Sequence, residues 1–305
     1  MQTAGVGAQQ ASGDNFKAAL WLLASATLFT ASMVLVKTLG DRLSPFQIAF
    51  FRLSISLIVI SPFLIRAGRE AGGVRTSVPF LQIGRGVMGT MATILGFYAI
   101  VHLPLADAQA ISFARTLFVV PLAALILSET IGLRRWMAVL IGFLGVLIML
   151  RPGGEAFSAS IGSAAALGHA FFVGFATVLV RLASRYDKPV TLMFYTGMVG
   201  TIVSAVPAYF VWVQPTGYEF LLLLCMGSLA AAAHNCFIRA YAIGEASAIA
   251  PLDYTRLILA AIAGLIFFDQ FPDLVSWLGA FIIAASSIYI VRREAKLGRA
   301  GPPAS

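Results

Sequence analysis

The chain has 305 residues, of which 59% are hydrophobic and only 11% are charged. A soluble domain carries roughly 45–50% apolar and about 25% charged residues, so this composition excludes an ordinary soluble globular protein and indicates a chain that faces lipid. The net charge of +8 does not indicate a nucleic-acid partner, because the basic residues lie in short loops between apolar runs.

Hydropathy predicts ten membrane spans after a polar stretch, residues 1–15, that we expect to be a disordered tail. The predicted spans, numbered one to ten, cover residues 17–37, 45–65, 79–101, 106–128, 132–150, 160–181, 190–212, 218–240, 247–269 and 274–291. As helices they are long enough to cross a hydrocarbon core of roughly 30 Å. Residues 294–305 are expected to form a cytoplasmic tail.

Lysine and arginine are distributed unequally between the two predicted sides. If the N-terminus lies in the cytoplasm, thirteen of these residues fall inside and three fall outside. The thirteen are Lys17, Arg66, Arg69, Arg75, Arg134, Arg135, Arg181, Arg185, Lys188, Arg292, Arg293, Lys296 and Arg299. The positive-inside rule therefore predicts that both termini are cytoplasmic in a bacterial-type inner membrane.

A sequence repeat runs through the chain. Residues 34–37 (VLVK) match 178–181 (VLVR) at an offset of 144, and residues 98–100 match 241–243 (both YAI) at 143. From span four onwards the offset is 141, which relates Arg115 to Arg256.

Each half of this repeat holds five spans. Because five is an odd number, the second half must cross the membrane upside down relative to the first. The sequence therefore predicts an all-α membrane protein with ten transmembrane helices in two inverted five-helix repeats, residues 16–151 and 160–293, an arrangement shared by many secondary transporters.

Several motifs at the end of the first repeat resemble the EamA-like family of the drug/metabolite transporter superfamily. They are the acidic residue after span four, the basic-Trp start of span five and the glycines within that span: Glu129, Arg134-Arg135-Trp136, Gly142 and Gly145. The second half departs from the pattern at Gln270, where the acidic residue is missing. The resemblance implies carrier-type transport of small metabolites in either direction, and it does not specify the substrate.

Two arginines lie deep within predicted spans. Arg115 and Arg256 are each nine residues from the start of their span, roughly 13–14 Å along a helix. A charge at the bilayer centre costs about 2.5–3.5 kcal/mol on insertion scales, so it indicates function by default. A guanidinium pair near the midplane suits an anionic or polar substrate group. The alternative is a structural pair satisfied by carbonyls or a carboxylate.

Asp253 is the only acidic residue deep inside a predicted span. It precedes Arg256 by three residues and shares its helix face, while the repeat places Ser112 at the equivalent position. Two interpretations remain open. Asp253 is either a carboxylate that couples a proton to transport or the fixed ion-pair partner of Arg256.

Further polar and aromatic residues are candidates for the substrate pathway: Phe113, Tyr254, His169, His234, Asn235, Tyr98 and Tyr241. The first two are repeat partners that either stack on a planar substrate or simply pack. The histidines and the asparagine either line a cavity or bond across helices. Arg52, Arg85 and Arg239, by contrast, are expected to snorkel to the interface. Pro121 and Pro251 are expected to kink their spans.

The sequence contains no ATP-binding GxxxxGK[ST] motif and no metal-ligand spacing, so no cofactor is predicted. We predict a secondary transporter that moves a small organic metabolite, amino-acid-like, vitamin or nucleoside-like, by alternating access. Its predicted partners are the substrate, the lipid bilayer and a coupling proton. The main alternative is a dedicated importer of riboflavin or S-adenosylmethionine. Remoter alternatives are an intramembrane enzyme that uses Asp253 with a histidine, and a non-transporting subunit or receptor.

Overall fold

The structure is a computed structural model that describes residues 3–70, 75–128, 131–150, 157–244 and 249–299. Within these ranges all regular secondary structure is helical, which confirms the predicted fold class. Glu129, Arg151 and Gly153 lie outside the described residues.

The helices follow the ten predicted spans, except that the first begins at Thr3, within the stretch expected to be a disordered tail, and the last continues to Arg299. Their bounds are Thr3–Leu39, Pro45–Glu70, Pro79–His102, Leu105–Ser112 with Arg115–Leu127, Leu133–Leu150, Phe157–Ala183, Pro189–Phe210, Gly217–Ile243, Ala250–Tyr254 with Thr255–Phe268, and Leu274–Arg299. Among the described residues, nine helices are long and apolar enough to cross a membrane, and span two adds a shorter apolar helix, Pro45–Val59. The apolar part of the first helix begins at Asn15.

Local sequence explains where several helices begin. Pro45, Pro79 and Pro189 are each the first residue of a helix, a position where proline's missing N–H costs nothing. Span eight begins with a capping box, in which the Thr216 hydroxyl accepts from the Glu219 N–H and the Glu219 carboxylate accepts from the Thr216 N–H. This reciprocal pair satisfies two backbone donors at the helix start.

Two clusters of contacts define the opposite ends of the helix bundle. At one end Lys37, at the close of span one, donates to the carbonyls of Ile100 and Leu103 at the close of span three. At the other end Asp187, which follows span six, accepts from Gln82 near the start of span three. We call these the Lys37 end and the Asp187 end.

The two halves of the chain are inverted relative to each other. Span one finishes at the Lys37 end, whereas span six, its counterpart in the second half, finishes at the Asp187 end. The first helices of the two repeats therefore run in opposite directions, as an odd number of spans requires. The predicted inverted-repeat fold is thus confirmed.

Most of the packing joins one half to the other. Span one packs along span eight, three along six, two along seven, and five along ten. Spans five and ten approach closely at two glycines, since a Cβ added at Gly279 would lie 2.8 Å from the Gly145 carbonyl oxygen. Small residues allow such close contact between membrane helices, which explains the glycines of span five.

The Asp187 carboxylate fastens the two halves together at its end of the bundle. It accepts hydrogen bonds from the Gln82 amide, the Thr76 hydroxyl and the Ser77 N–H. Partial burial acts to raise the pKa of Asp187, but the hydrogen bonds from Thr76, Gln82 and Ser77 prevail and hold that pKa below its usual value of 3.8. The bonds therefore favour the ionised carboxylate.

We predict that Asp187→Asn lowers the free energy of unfolding by roughly 1–2 kcal/mol, because charge-assisted hydrogen bonds are lost. The contribution of a carboxyl with a depressed folded-state pKa is fully present above its unfolded pKa and is lost as the pH falls through the folded value. Unfolding in bicelles between pH 3 and pH 7 should therefore show a smaller acid loss in the variant. Asp41→Asn, at an exposed acid, is the control; equal behaviour of both variants would contradict the prediction.

Candidate functional site

Spans four and nine change helical type just before their arginines. In span four the N–H groups of Thr116 and Leu117 bond to carbonyls three residues back, at Phe113 and Ala114. In span nine a 3₁₀ segment ends at Tyr254, directly before the α-helix begins. The two tightened turns lie at repeat-equivalent positions, and such mid-helix 3₁₀ turns often mark hinges.

The prolines do not account for both of these features. Pro121 lies inside a continuous helix, Arg115–Leu127, so the expected break in span four occurs at Phe113–Ala114 instead. Pro251 does lie within the first residues of the 3₁₀ segment of span nine, where its missing N–H is tolerated.

Asp253 lies between the two central arginines. Arg115 Nη2 donates to Asp253 Oδ2 over 3.0 Å. Arg256 Nε lies 2.9 Å from Asp253 Oδ1, an ion-pair distance at which the N–H direction does not form a hydrogen bond. One carboxylate of span nine thus joins span four to its own helix.

Arg256 is held from three further sides. Its Nη2 donates to the Ser25 hydroxyl over 3.2 Å, and that hydroxyl donates to the Ala233 carbonyl. Its Cζ lies 4.8 Å from the centre of the Phe29 ring and 5.6 Å from that of Phe237. These contacts from spans one and eight fix Arg256. Its side chain is 8% exposed, against 30% for Arg115.

Arg115 and Arg256 face the same cavity, which has a volume of about 400 Å³. The wall comes from spans one, two, three, four, six, seven and nine. Its polar and basic members include Arg52, Arg85, Thr93, Gln109, Ser112, Arg115, His169, Thr177, Thr196 and Arg256. The described lining residues include no Asp or Glu, so four guanidinium groups dominate the charge of the cavity.

Arg52 and Arg85 correct the sequence interpretation. Both line the cavity instead of reaching the interface. Arg85 is 6% exposed, and its Nη2 donates to Gln82 Oε1 and to the Leu192 carbonyl. The guanidinium of Arg52 lies 5.4 Å from the centre of the Phe97 ring. Inward cavities satisfy charges that would otherwise have to reach the headgroups.

The exposure of the lining residues differs along the cavity. Val36, Ile100 and Ala108 line it near the Lys37 end, and all three are buried. Thr177 and Val180 line it near the Asp187 end, and both are exposed.

The remaining candidate residues lie in different surroundings. Phe113 and Tyr254 stack on each other, with ring centres 4.4 Å apart, and neither lines the cavity. His169 does line the cavity, and its Nδ1 lies 2.7 Å from the Ala92 carbonyl oxygen. Gly96 makes room for this ring, because a Cβ there would lie 2.6 Å from His169 Nδ1.

Four further candidates lie outside the cavity lining. Tyr98 stacks on His102 with ring centres 4.0 Å apart, and Tyr241 lies beside Phe237 at 4.6 Å. His234 and Asn235 are exposed. Among the described residues there is also no group of three or more His, Cys, Asp and Glu side chains that could hold a metal ion.

The model of the EamA-like transporter family matches residues 16–151 and 160–292. The S-adenosylmethionine uptake transporter of Rickettsia prowazekii is 32% identical over 90% of this chain and 92% of its own. The riboflavin transporter of Vibrio cholerae is 29% identical (92% and 95%), and the pseudopaline exporter CntI of Pseudomonas aeruginosa is 31% identical (90% and 96%).

One crystal structure of a protein covers 92% of this chain and 98% of its own chain, with a TM-score of 0.59. At 20% identity this similarity shows a shared fold. It carries no information about the substrate.

We predict that Asp253→Ala lowers the free energy of unfolding by about 3–5 kcal/mol, because it leaves Arg256 buried beside no carboxylate. Steric-trap unfolding in bicelles measures the change. The same substitution in an Arg256→Leu background should cost less, with a coupling free energy of about 1–3 kcal/mol in the double-mutant cycle. Additive effects would show that the ion pair contributes nothing.

Proposed function

The chain belongs to the EamA-like transporter family, a family of small-molecule transporters, and from this premise we propose a secondary transporter that moves a small organic metabolite across a bacterial inner membrane by alternating access. The observation that carries this proposal is the basic cavity between the two inverted halves. Its volume of about 400 Å³ falls in the range of sites for small molecules.

The charge of the cavity supports a substrate that bears a carboxylate. Four guanidinium groups reach the wall, and Asp253 is the one carboxylate bound to them among the described residues. An unbalanced positive charge in a site of low dielectric favours an anionic group over a cationic one. The rings of Phe29 and Phe97, also in the wall, supply apolar surface for the rest of the molecule.

Arg115, Arg256 and Asp253 form the cluster that responds to substrate in this proposal, and its two arginines line the cavity. Arg115 is the more exposed arginine, so it is the member of the cluster that a ligand reaches first. Any substrate group that draws Arg115 away from Asp253 loosens the link between spans four and nine. Asp253 is also the candidate carrier of the coupling proton, because its carboxylate can accept a proton once it is released from one arginine.

Alternating access requires the two ends of the bundle to open in turn. At the Lys37 end, two contacts join the halves. Arg42 pairs with Glu219, and the Gln47 side-chain amide donates to the Val213 carbonyl and accepts from the Val213 N–H. We propose that these contacts break when the Lys37 end opens, while the spans around Asp187 move together. Rocking of one half against the other has this effect in transporters with inverted repeats.

Import of S-adenosylmethionine or riboflavin is the second candidate function, favoured by the names of the relatives. S-adenosylmethionine has a carboxylate and a planar base, but its net charge is positive, which the four arginines disfavour. Riboflavin is planar and has no carboxylate. Uptake of both compounds by proteoliposomes, next to L-glutamate and L-leucine, decides between these candidates and an amino-acid-like substrate.

We further propose that the Asp187 end is cytoplasmic. Arg181 and Arg185 lie at this end, at the close of span six, and the loop charges follow the positive-inside rule only with this orientation. Both termini then face the cytoplasm, because the first helix starts and the last helix finishes at this end.

We predict that Arg115→Gln and Arg256→Gln each reduce uptake by at least about tenfold, because each removes an intramembrane charge from the substrate wall. Uptake is measured in proteoliposomes, with incorporation checked by gel. Arg239→Gln is the matched control, since Arg239 lies over the Trp21 ring away from the cavity. Asp253→Asn should also remove any dependence on a pH gradient. Normal uptake by both arginine variants would exclude the proposed site.

We predict the topology of two exposed loop positions, Arg185 and Gln214. In a background where Cys225 and Cys236 are replaced by Ser, a cysteine at position 214 should react with an impermeant maleimide in intact cells, because its loop faces outward. A cysteine at position 185 should react only after permeabilisation. The reverse pattern would invert the orientation without changing the fold.

A further inference from the structure

We propose that Arg52, and neither of the two paired arginines, is the anchor for the substrate carboxylate. This inference rests on the proposed function, in which the central cavity binds substrate. It assigns a role to a residue of span two that lies in neither of the duplicated spans that carry the paired arginines.

The four arginines of the cavity differ in what they already bind. Arg115 and Arg256 share the Asp253 carboxylate. Arg85 donates to a glutamine side chain and to a backbone carbonyl. Arg52 forms no ion pair and no hydrogen bond with any residue that the structure describes. Its guanidinium makes a cation–π contact with the Phe97 ring. It is therefore the guanidinium with the most free donors.

Arg52 lies at the depth expected of a substrate site. A Cβ added at Gly200 would lie 3.4 Å from both Leu53 Cδ1 and Thr90 Oγ1, so the residue next to Arg52 is level with Thr90. Thr90 is the midpoint of the Pro79–His102 helix. The backbone of Arg52 is thus near the middle of the membrane, where transporters built from inverted repeats bind substrate.

The contact with Phe97 leaves the hydrogen-bonding edge of Arg52 available. A guanidinium near an aromatic ring is stabilised through its charge, while its planar fork still donates in parallel to the two oxygens of a carboxylate. Phe97 is 7% exposed, so it forms a firm support. The side chain of Arg52 remains partly exposed, which gives a ligand access to it.

Binding at Arg52 also breaks no existing ion pair. A carboxylate that binds Arg115 competes with Asp253 for the same donors, and the loss of that pair offsets the gain. A carboxylate on Arg52 gains a bidentate charge-assisted contact without this loss. The paired arginines then contact the remainder of the substrate, and Arg52 selects for the presence of a carboxylate.

The first test measures the availability of each arginine and needs no knowledge of the substrate. Full-length protein in nanodiscs is treated with phenylglyoxal, which modifies free guanidinium groups, and modification is quantified by peptide mass spectrometry. We expect Arg52 to react about tenfold faster than Arg115 or Arg256, because an ion pair with a carboxylate blocks the other two. Butyrate should slow the reaction at Arg52, and butyramide should not. Faster modification of Arg115, or protection by both compounds, would overturn the proposal.

The second test uses uptake of L-glutamate, L-leucine, S-adenosylmethionine and riboflavin by proteoliposomes. Arg52→Gln should raise the KM for a transported carboxylate by at least about tenfold, a loss of about 1.4 kcal/mol, and Arg52→Lys should restore part of it. Riboflavin uptake should not change. A KM shift in Arg115→Gln but not in Arg52→Gln would overturn the inference. If the wild type transports none of the four, the proposed function fails, while the labelling result still decides whether Arg52 is the free cation.

Discussion

A single carboxylate shared by two guanidinium groups determines the centre of this protein. Asp253 bonds Arg115 of span four and lies at ion-pair distance from Arg256 of its own span. Charges at this depth are costly in hydrocarbon unless they are paired. Because the cluster joins the central helices of the two inverted halves, it permits both arginines to be present and couples the halves at the point where a substrate would lie.

The two faces of this cluster have different surroundings. Ser25 and Phe237 close one face of the cluster, and the other face opens into the basic cavity. A carrier needs a site whose side chains are held in place but whose hydrogen-bond donors are not all occupied, since a ligand must find free donors there. In this chain Asp253 holds Arg115 and Arg256 in place, and Arg52 offers donors that bond no residue the structure describes.

The sequence is sufficient to predict the fold, because span length, hydropathy and the repeat can all be read from the linear order of the residues. Span limits depend on the hydrocarbon thickness, and the odd number of spans per half dictates inversion. The wall of the cavity depends instead on the direction in which each side chain points. For this reason the sequence alone places Arg52 and Arg85 at the interface, although each lies more than one helical turn inside its span. It also does not predict that Phe113 and Tyr254 stack on each other.

The repeat also has a consequence for how the two access states differ in affinity. The second-half counterparts of Arg52 and Arg85 are Thr196 and Ser228, at offsets of 144 and 143. Arg52 and Thr196 line the same cavity, so the two halves match in fold but contribute unequal charge to it. The charge around a bound carboxylate would therefore differ between the two access states, and the carrier would bind it with different affinity on the two sides of the membrane.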